Sequence, residues 1–480
     1  FRRPHRRTAA LHEGTGRCRA RLRPFLRRGP AARSRADRLA HGRPPLRRNG
    51  RPPVSGRSIL RLPRLLRDAS WISLALSAPE VVRGLVFLAL APLLGPEAYG
   101  VMGLAAVVIA VAVLLLRDGW ATALAGRHEL SNELLSSCFW ALTVLAVAML
   151  APIAGGGWLL GRLFEDPSLP PVVAALAPAV VAEALGTPAR VWLLRNDRSR
   201  DVALASATAA VLAGLGAAGG ALAGWGVWSL VLFNLLLSSV TTALLWRRSE
   251  WRPDRTFAWS TIRPIVAFAA KVSGGSAVIV MEQVALRSFV AAIFGTAGLG
   301  SLMLARRVVE LVAGASSMAL GRASLIGLAR DPVGSGGRRR TLLQAMLLGL
   351  LVAAPLALAL ALGGETAVLR LAGPAWQESA PLLRTSALLV LILPVNAVLA
   401  QWHFGHDRAG LELALRFLGT LLLLAFLPLV FVAGLNGVVL AMAARAWTLA
   451  GCRLYLVFRR GGALGTHRGR LFRTAYRPRI

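Results

Sequence analysis

Stretches of about 20 apolar residues recur along most of this chain, set off by short polar breaks. Apolar and polar positions do not alternate within them, as the strands of a membrane barrel would require. Each run is long enough for a helix to cross the roughly 30 Å hydrocarbon core of a bilayer. The pattern predicts twelve spans, at 70–92, 101–117, 134–158, 172–194, 202–222, 226–246, 264–293, 297–325, 341–363, 380–402, 411–433 and 437–458. The seventh and eighth are long for one crossing each, which predicts a break or a tilt.

The pattern occurs twice. Leu94-Gly95-Pro96-Glu97-Ala98-Tyr99-Gly100 runs into Val101-Met102-Gly103-Leu104-Ala105, and Phe294-Gly295-Thr296-Ala297-Gly298-Leu299-Gly300 runs into Ser301-Leu302-Met303-Leu304-Ala305, an offset of 200. Asp197-Arg198 recurs as Asp407-Arg408, and Gly224-Trp225-Gly226-Val227 recurs as Gly434-Leu435-Asn436-Gly437-Val438, both near 210. Pro167 and Pro374 match at 207. A duplicated membrane unit is the usual build of a transporter. Six spans per repeat is an even number, so both copies insert the same way up. The expected fold class is therefore an all-α integral membrane protein with two parallel six-helix lobes facing a central cavity. The expected organisation is a segment 1–67, lobes at 68–246 and 264–458, a linker at 247–263 and a tail at 459–480.

Composition agrees. Of 480 residues, 55% are hydrophobic and 16% charged, and the mean hydropathy is +0.58. The net charge of +34 is concentrated in residues 1–67, which hold 21 arginines against Glu13 and Asp37. That segment is rich in Arg, Pro and Gly. It reads either as a disordered tail held near anionic lipid or, preferably, as sequence upstream of the true start in a GC-rich genome, since arginine outnumbers lysine 55 to 1. Elsewhere the charge orients the spans. One set of loops is basic (Arg195, Arg198, Arg200; Arg247, Arg248, Arg252, Arg255; Arg330 and 338–340), as is the tail, while the loops at 94–100, 223–226, 295–300 and 434–437 are poor in arginine. Positive-inside topology puts both termini in the cytoplasm, and a chain this apolar makes a nucleic-acid partner unexpected. Cys18, Cys138 and Cys452 share no motif spacing.

Charges inside the spans carry the candidate chemistry, since each costs about 2.5–3.5 kcal/mol at the bilayer centre unless it meets a partner or a cavity. Those singled out, in the first, fourth, seventh and eighth spans, are six cations (Arg83, Arg190, Lys271, Arg287, Arg306, Arg307) and four acids (Glu80, Glu183, Glu282, Glu310). Glu80 and Arg83 share a helix face beside Pro79 and Gly84, which predicts a hinged, charged gate or a structural ion pair. Arg306 is expected to neutralise Glu310, leaving Arg307 available. The first and seventh spans are repeat partners, so Glu80, Arg83, Glu282 and Arg287 are expected near one another. An excess of guanidinium suits a phosphate-bearing ligand and not a cationic drug.

Other signals are weaker. His403-x-x-His406 has metal-like spacing beside a basic loop, but no metal or other cofactor is expected. Asn234, Gln344, Asn396 and Gln401 read as helix–helix contacts. Trp71, Trp158, Trp228, Trp246, Trp251 and Trp376 read as interfacial anchors.

Several stretches resemble the oligosaccharide flippases of the polysaccharide biosynthesis family, within the multidrug/oligosaccharidyl-lipid/polysaccharide exporter superfamily. They are Leu93-Leu94-Gly95-Pro96-Glu97-Ala98-Tyr99-Gly100, Arg117-Asp118-Gly119-Trp120-Ala121-Thr122-Ala123-Leu124, Phe164-Glu165-Asp166-Pro167, Leu194-Arg195-Asn196-Asp197, Gly224-Trp225-Gly226-Val227-Trp228-Ser229-Leu230-Val231 and Trp251-Arg252-Pro253. The resemblance implies a V-shaped transporter that moves undecaprenyl-diphosphate-linked oligosaccharide across the inner membrane by alternating access, for O-antigen, capsule or exopolysaccharide synthesis. By analogy Arg83, Arg287 and Arg307 are candidates to hold the diphosphate. Glu80, Glu282 and Glu310 are candidates to gate or to couple a proton or sodium ion. The expected partners are the polyprenyl-diphosphate-linked glycan and membrane lipid. An ion-coupled multidrug antiporter of the same superfamily is the alternative. A glycan polymerase or other enzyme is disfavoured because every outer loop is short, and the P-loop lysine is missing.

Overall fold

The computed structural model describes residues 62–125, 127, 130–330, 336–405 and 409–459. The segment 1–61, His406, Asp407, Arg408 and the tail beyond Arg459 lie outside the described residues. The described chain is helical: α1 Leu62–Val113, α2 Gly119–Ala125, α3 Asn132–Ala148, α4 Leu150–Leu163, α5 Leu169–Arg195, α6 Ser199–Leu222, α7 Val227–Arg248, α8 Trp259–Arg330, α9 Gly336–Leu371, α10 Ser379–Gly405, α11 Ala409–Phe426, α12 Leu429–Ala433 and α13 Leu435–Arg459. A π turn, Leu114–Asp118, joins α1 to α2, and a single 3₁₀ turn, Pro374–Trp376, precedes α10. Helix α1 begins at Leu62, so the last residues of the expected tail, 62–67, are helical.

Among the described residues, nine helical stretches are long and apolar enough to cross a membrane. The protein is a multi-pass membrane protein. Two of its elements are too long for one crossing. At 1.5 Å per residue the 52 residues of α1 and the 72 of α8 would reach about 78 and 108 Å if straight. Each breaks at a glycine, Gly95 (φ 70°, ψ 170°) or Gly295 (φ 69°, ψ −175°), in a left-handed conformation that only glycine adopts cheaply. In α1 the chain reverses there. Tyr99 donates its hydroxyl to the Phe87 carbonyl at 2.6 Å, although twelve residues of straight helix would separate the two by about 18 Å. The seventh and eighth spans expected from sequence are thus the two arms of α8, and the break falls at the short loop expected between them, not inside either span; α1 repeats the device.

The equal backbone angles at Gly95 and Gly295, 200 residues apart, are the repeat made visible. A second pair is Gly226 (φ 55°, ψ −128°) before α7 and Gly434 (φ 57°, ψ −139°) before α13. Gly434 therefore corresponds to Gly226, not to Gly224 as the sequence alignment has it. The repeats also touch reciprocally. A Cβ on Gly100 would strike the Thr296 carbonyl, and a Cβ on Gly300 would strike the Pro96 carbonyl. Each contact maps onto the other under the 200-residue offset, as a two-fold relation between the repeats requires.

Near this crossing Trp376 is fully buried and donates to the Ala91 carbonyl at 2.9 Å. Its ring meets Tyr99 edge-on at 5.2 Å, and Tyr99 meets Phe87 at 4.4 Å. Trp376 is therefore an internal pin and not the interfacial anchor expected. Trp251 is also buried, stacked on Trp246 at 5.6 Å. It holds the segment after α7 against α3, where the backbone amides of Asp254 and Ala258 donate to Ser136 (2.9 Å) and Ser137 (3.0 Å). Trp158 and Trp228 stay exposed, as anchors should.

Candidate functional site

Charged side chains from α1, α5, α8 and the π turn converge. Helix α1 approaches α8 closely because position 84 is glycine; a Cβ there would run into Leu311. One turn earlier, Arg83 pairs with Glu80. Across the gap Arg307 donates to Glu310 at 3.0 Å and to the Glu80 backbone carbonyl at 3.3 Å. Arg306 stands 4.0 Å from Glu310. Arg307, expected to be the available one, is thus the closer partner of Glu310, and it bridges the two helices. Arg287 lies within electrostatic range of Arg306 and Glu310, with no ion-pair partner among the described residues.

A second set continues the first. The π turn offsets the helix so that Arg117 reaches Glu183 of α5 at 2.6 Å. Such turns are frequent at functional sites. The irregular backbone is secured from α8, where Ser273 donates to the Leu114 carbonyl at 3.0 Å. Gly119 admits α8, since a Cβ there would sit 2.5 Å from Ser273 Oγ. Arg190 lies within range of Glu183, Arg117, Arg83 and Glu80 and has no ion-pair partner among the described residues. Among the side chains the structure describes, the assembled cluster holds six guanidiniums (Arg83, Arg117, Arg190, Arg287, Arg306, Arg307) and three carboxylates (Glu80, Glu183, Glu310). It is open: the side chains of Glu80 and Glu310 are 50% and 52% exposed. Charges that exposed within spans call for water, because lipid would penalise them.

Glu282 goes elsewhere. It pairs with Arg445 of α13 and accepts from Thr420 of α11 at 2.7 Å, so it is not brought to Glu80, Arg83 and Arg287. The reason is register. The 200-residue offset pairs Arg83 with Gln283 and Glu80 with Val280, so Glu282 sits on a different helix face. Lys271 is exposed, outside these contacts.

A third group is sealed. Glu412 of α11 (side chain 1% exposed) pairs with Arg453 of α13 and lies 3.4 Å from His403 Nδ1 of α10. Arg453 also donates to Asn396 at 2.7 Å, and Asn396 donates to the Ala446 carbonyl at 2.9 Å, so Asn396 is the helix–helix contact it was expected to be. His403 is thus a partner of Glu412. No trio of His, Cys, Asp or Glu suited to a metal occurs among the described residues.

Sequence reasoning missed Arg117, Glu412, Arg416, Arg445 and Arg453. All five lie inside predicted spans, so a complete census of charges in those spans finds them.

Residues 89–381 match the family described as polysaccharide biosynthesis protein. The chain belongs to that family. A curated relative is the lipopolysaccharide biosynthesis protein WzxC of Escherichia coli (strain K12), 23% identical over 249 residues. That match covers 51% of this chain and about half, 50%, of WzxC. Among solved structures this family member is similar to the lipid II flippase MurJ in an inward closed conformation, with TM-score 0.64, 12% identity and coverage of 81% of this chain and 87% of that one. It is also similar to an inward-facing multidrug resistance MATE transporter of the MOP superfamily, with TM-score 0.58, 16% identity and coverage of 81% and 94%. The fold is MATE- and MurJ-like.

Proposed function

We propose that the chain is a flippase that carries a polyprenyl-diphosphate-linked oligosaccharide across the bacterial inner membrane by alternating access, as one step of surface polysaccharide synthesis. The observation that carries this reading is the open cluster of six guanidiniums against three carboxylates. Arginine forks match phosphate oxygens two at a time. In this reading Arg83, Arg287 and Arg307 meet the diphosphate, the glycan occupies water between two six-helix lobes (68–246 and 264–458), and the polyprenyl chain stays in lipid. Counting each arm of α1 and α8 as one crossing, with α2 in the second arm of α1, α3 with α4 as one and α11 with α12 as one, the reading has twelve crossings and both termini on one side, taken as the cytoplasmic one. Glu80 and Glu310 are the carboxylates placed to couple a proton or sodium ion to the cycle. Glu282 acts from its own pair with Arg445. The names of WzxC and MurJ favour this substrate class.

The MATE-like fold also fits an ion-coupled drug antiporter, but the cation excess repels the cationic compounds such a pump would carry. Proteoliposomes loaded with an undecaprenyl-diphosphate-linked glycan decide between the two. Translocation by the wild type, reduced at least about tenfold in Arg83→Ala and Arg287→Ala, is expected. Wild-type proteoliposomes that extrude an organic cation and leave the glycan lipid untouched would overturn the reading.

A further inference from the structure

An apolar groove of about 250 Å³ runs between α1 and α6, lined by Val86, Ala89 and Leu90 on one side and Val211, Gly214, Leu215 and Ala218 on the other. It exists because small residues sit where the helices meet. A Cβ on Gly214 would come within 2.7 Å of Val86 Cγ2, and Ala89 and Ala218 leave the space beside it open. Its rim faces outward, with Val211 48% and Leu215 67% exposed.

Two observations set this groove apart from an ordinary lipid-facing surface. The first is what lies at its end. Val86 and Leu90 follow Arg83 at spacings of three and seven, so all three share one face of α1 within about 10 Å. Arg83 belongs to the open cation cluster, and its Nε has no partner among the described residues. The site is therefore amphipathic in a fixed order, guanidinium first and apolar groove after. The second is asymmetry between the repeats. The offset of 200 on α1 puts Phe289 opposite Ala89, and the offset of 210 between the starts of α6 and α11 puts Leu424 opposite Gly214. The small residues that make the groove are confined to the first copy.

We propose that this groove holds the first isoprene units of a polyprenyl diphosphate whose phosphates meet Arg83. The inference rests on the flippase reading and adds to it the path of the tail, between α1 and α6. The head of such a lipid is anionic and its tail is a single apolar chain of methyl-bearing isoprene units, in the order in which the protein presents arginine and groove. Bulk phospholipid is the competing occupant. A hydrophobic chain gains little by leaving lipid for a groove, so the preference arises from packing and from the tethered head.

The test is placement. A photoreactive benzophenone amino acid replaces Leu215 or, as a control, the 77% exposed Leu362 of α9. The protein is held in phosphatidylethanolamine nanodiscs with radiolabelled undecaprenyl diphosphate, and binding of the unmodified protein to that lipid is measured separately by native mass spectrometry. The expected result is about tenfold more label at position 215 than at 362, lost in Arg83→Ala and reduced in Ala89→Phe, which carries the residue of the second repeat. Equal labelling at 215 and 362, or labelling at 215 indifferent to Arg83→Ala, overturns the groove and leaves the flippase standing. Native spectra with no undecaprenyl diphosphate bound overturn the flippase reading itself, and the groove with it.

Discussion

Two charged groups in this molecule use the same residue types and are built to opposite ends. Around Glu412 the carboxylate is buried: Arg453 pairs with it, Asn396 takes up another guanidinium N–H, His403 covers the far side, and the exposed Arg416 stands 4.0 Å off. Around Arg307 the charges are half open and unmatched, with three carboxylates among six guanidiniums. With its carboxylate buried, the Glu412 group joins α10, α11 and α13. The open group has cationic capacity left over. Charge in the membrane therefore does not by itself make a candidate site; the exposure of the carboxylates is what separates the two groups.

The largest effect expected from this contrast is on stability. Glu412→Gln leaves the Arg453 guanidinium buried without a counter-ion, which costs about 3–5 kcal/mol when a buried pair loses one partner. Thermal unfolding in detergent should show a marked drop. A melting temperature equal to that of the wild type would mean that the Glu412 group is hydrated and that the two clusters are alike.

The next effect is on binding. Arg83→Ala and Arg307→Ala each remove charge-assisted hydrogen bonds worth about 1.5–3 kcal/mol to an anion, roughly one to two decades in Kd. Titration with undecaprenyl diphosphate in nanodiscs measures it, and the sealed Arg453→Lys should bind like the wild type. Equal losses in all three variants would show a general electrostatic effect and not a site.

Much of this was legible in the sequence, for a physical reason. Apolar runs of spanning length and the offset of 200 are local or periodic signals, and they led to the helices and to the turn at Gly295; the family came from the stretches that resemble it. Pairing was less legible. Arg306 and Arg307 both lie within a turn of Glu310, and only side-chain packing against Glu80 chooses Arg307. Glu282 was misplaced because repeat equivalence was taken span by span, whereas the register pairs Arg83 with Gln283. Arg117 sits at the end of a predicted span and enters the cluster through a π turn, which leaves no trace in apolar periodicity. Trp376 was taken for an anchor because a tryptophan near a span end looks the same whether it faces lipid or the Tyr99 ring.

A smaller effect tests the crossing that both repeats share. Gly100→Ala drives a methyl into the Thr296 carbonyl and Gly300→Ala into the Pro96 carbonyl. Overpacking of this kind costs about 1–3 kcal/mol. Because the contacts are reciprocal, the two variants should lose similar amounts, read as melting temperatures side by side. A loss confined to one of them would show that the repeats meet asymmetrically at this point.

The smallest expected effect sharpens the comparison most. Glu310 is paired with Arg307 at 3.0 Å, yet it is 52% exposed. Exposed pairs contribute about 0–1 kcal/mol, so Glu310→Gln should barely change the melting temperature, where Glu412→Gln changes it severely. Removing that carboxylate also raises the cation excess of the open cluster and releases Arg307 from a competing acceptor. Undecaprenyl diphosphate should therefore bind Glu310→Gln as tightly as the wild type or tighter, while an ion-coupled transport rate falls if Glu310 is the coupling carboxylate. A destabilisation approaching that of Glu412→Gln would mean that the Arg307–Glu310 pair is a structural lock, and the open cluster would lose its claim to be the site.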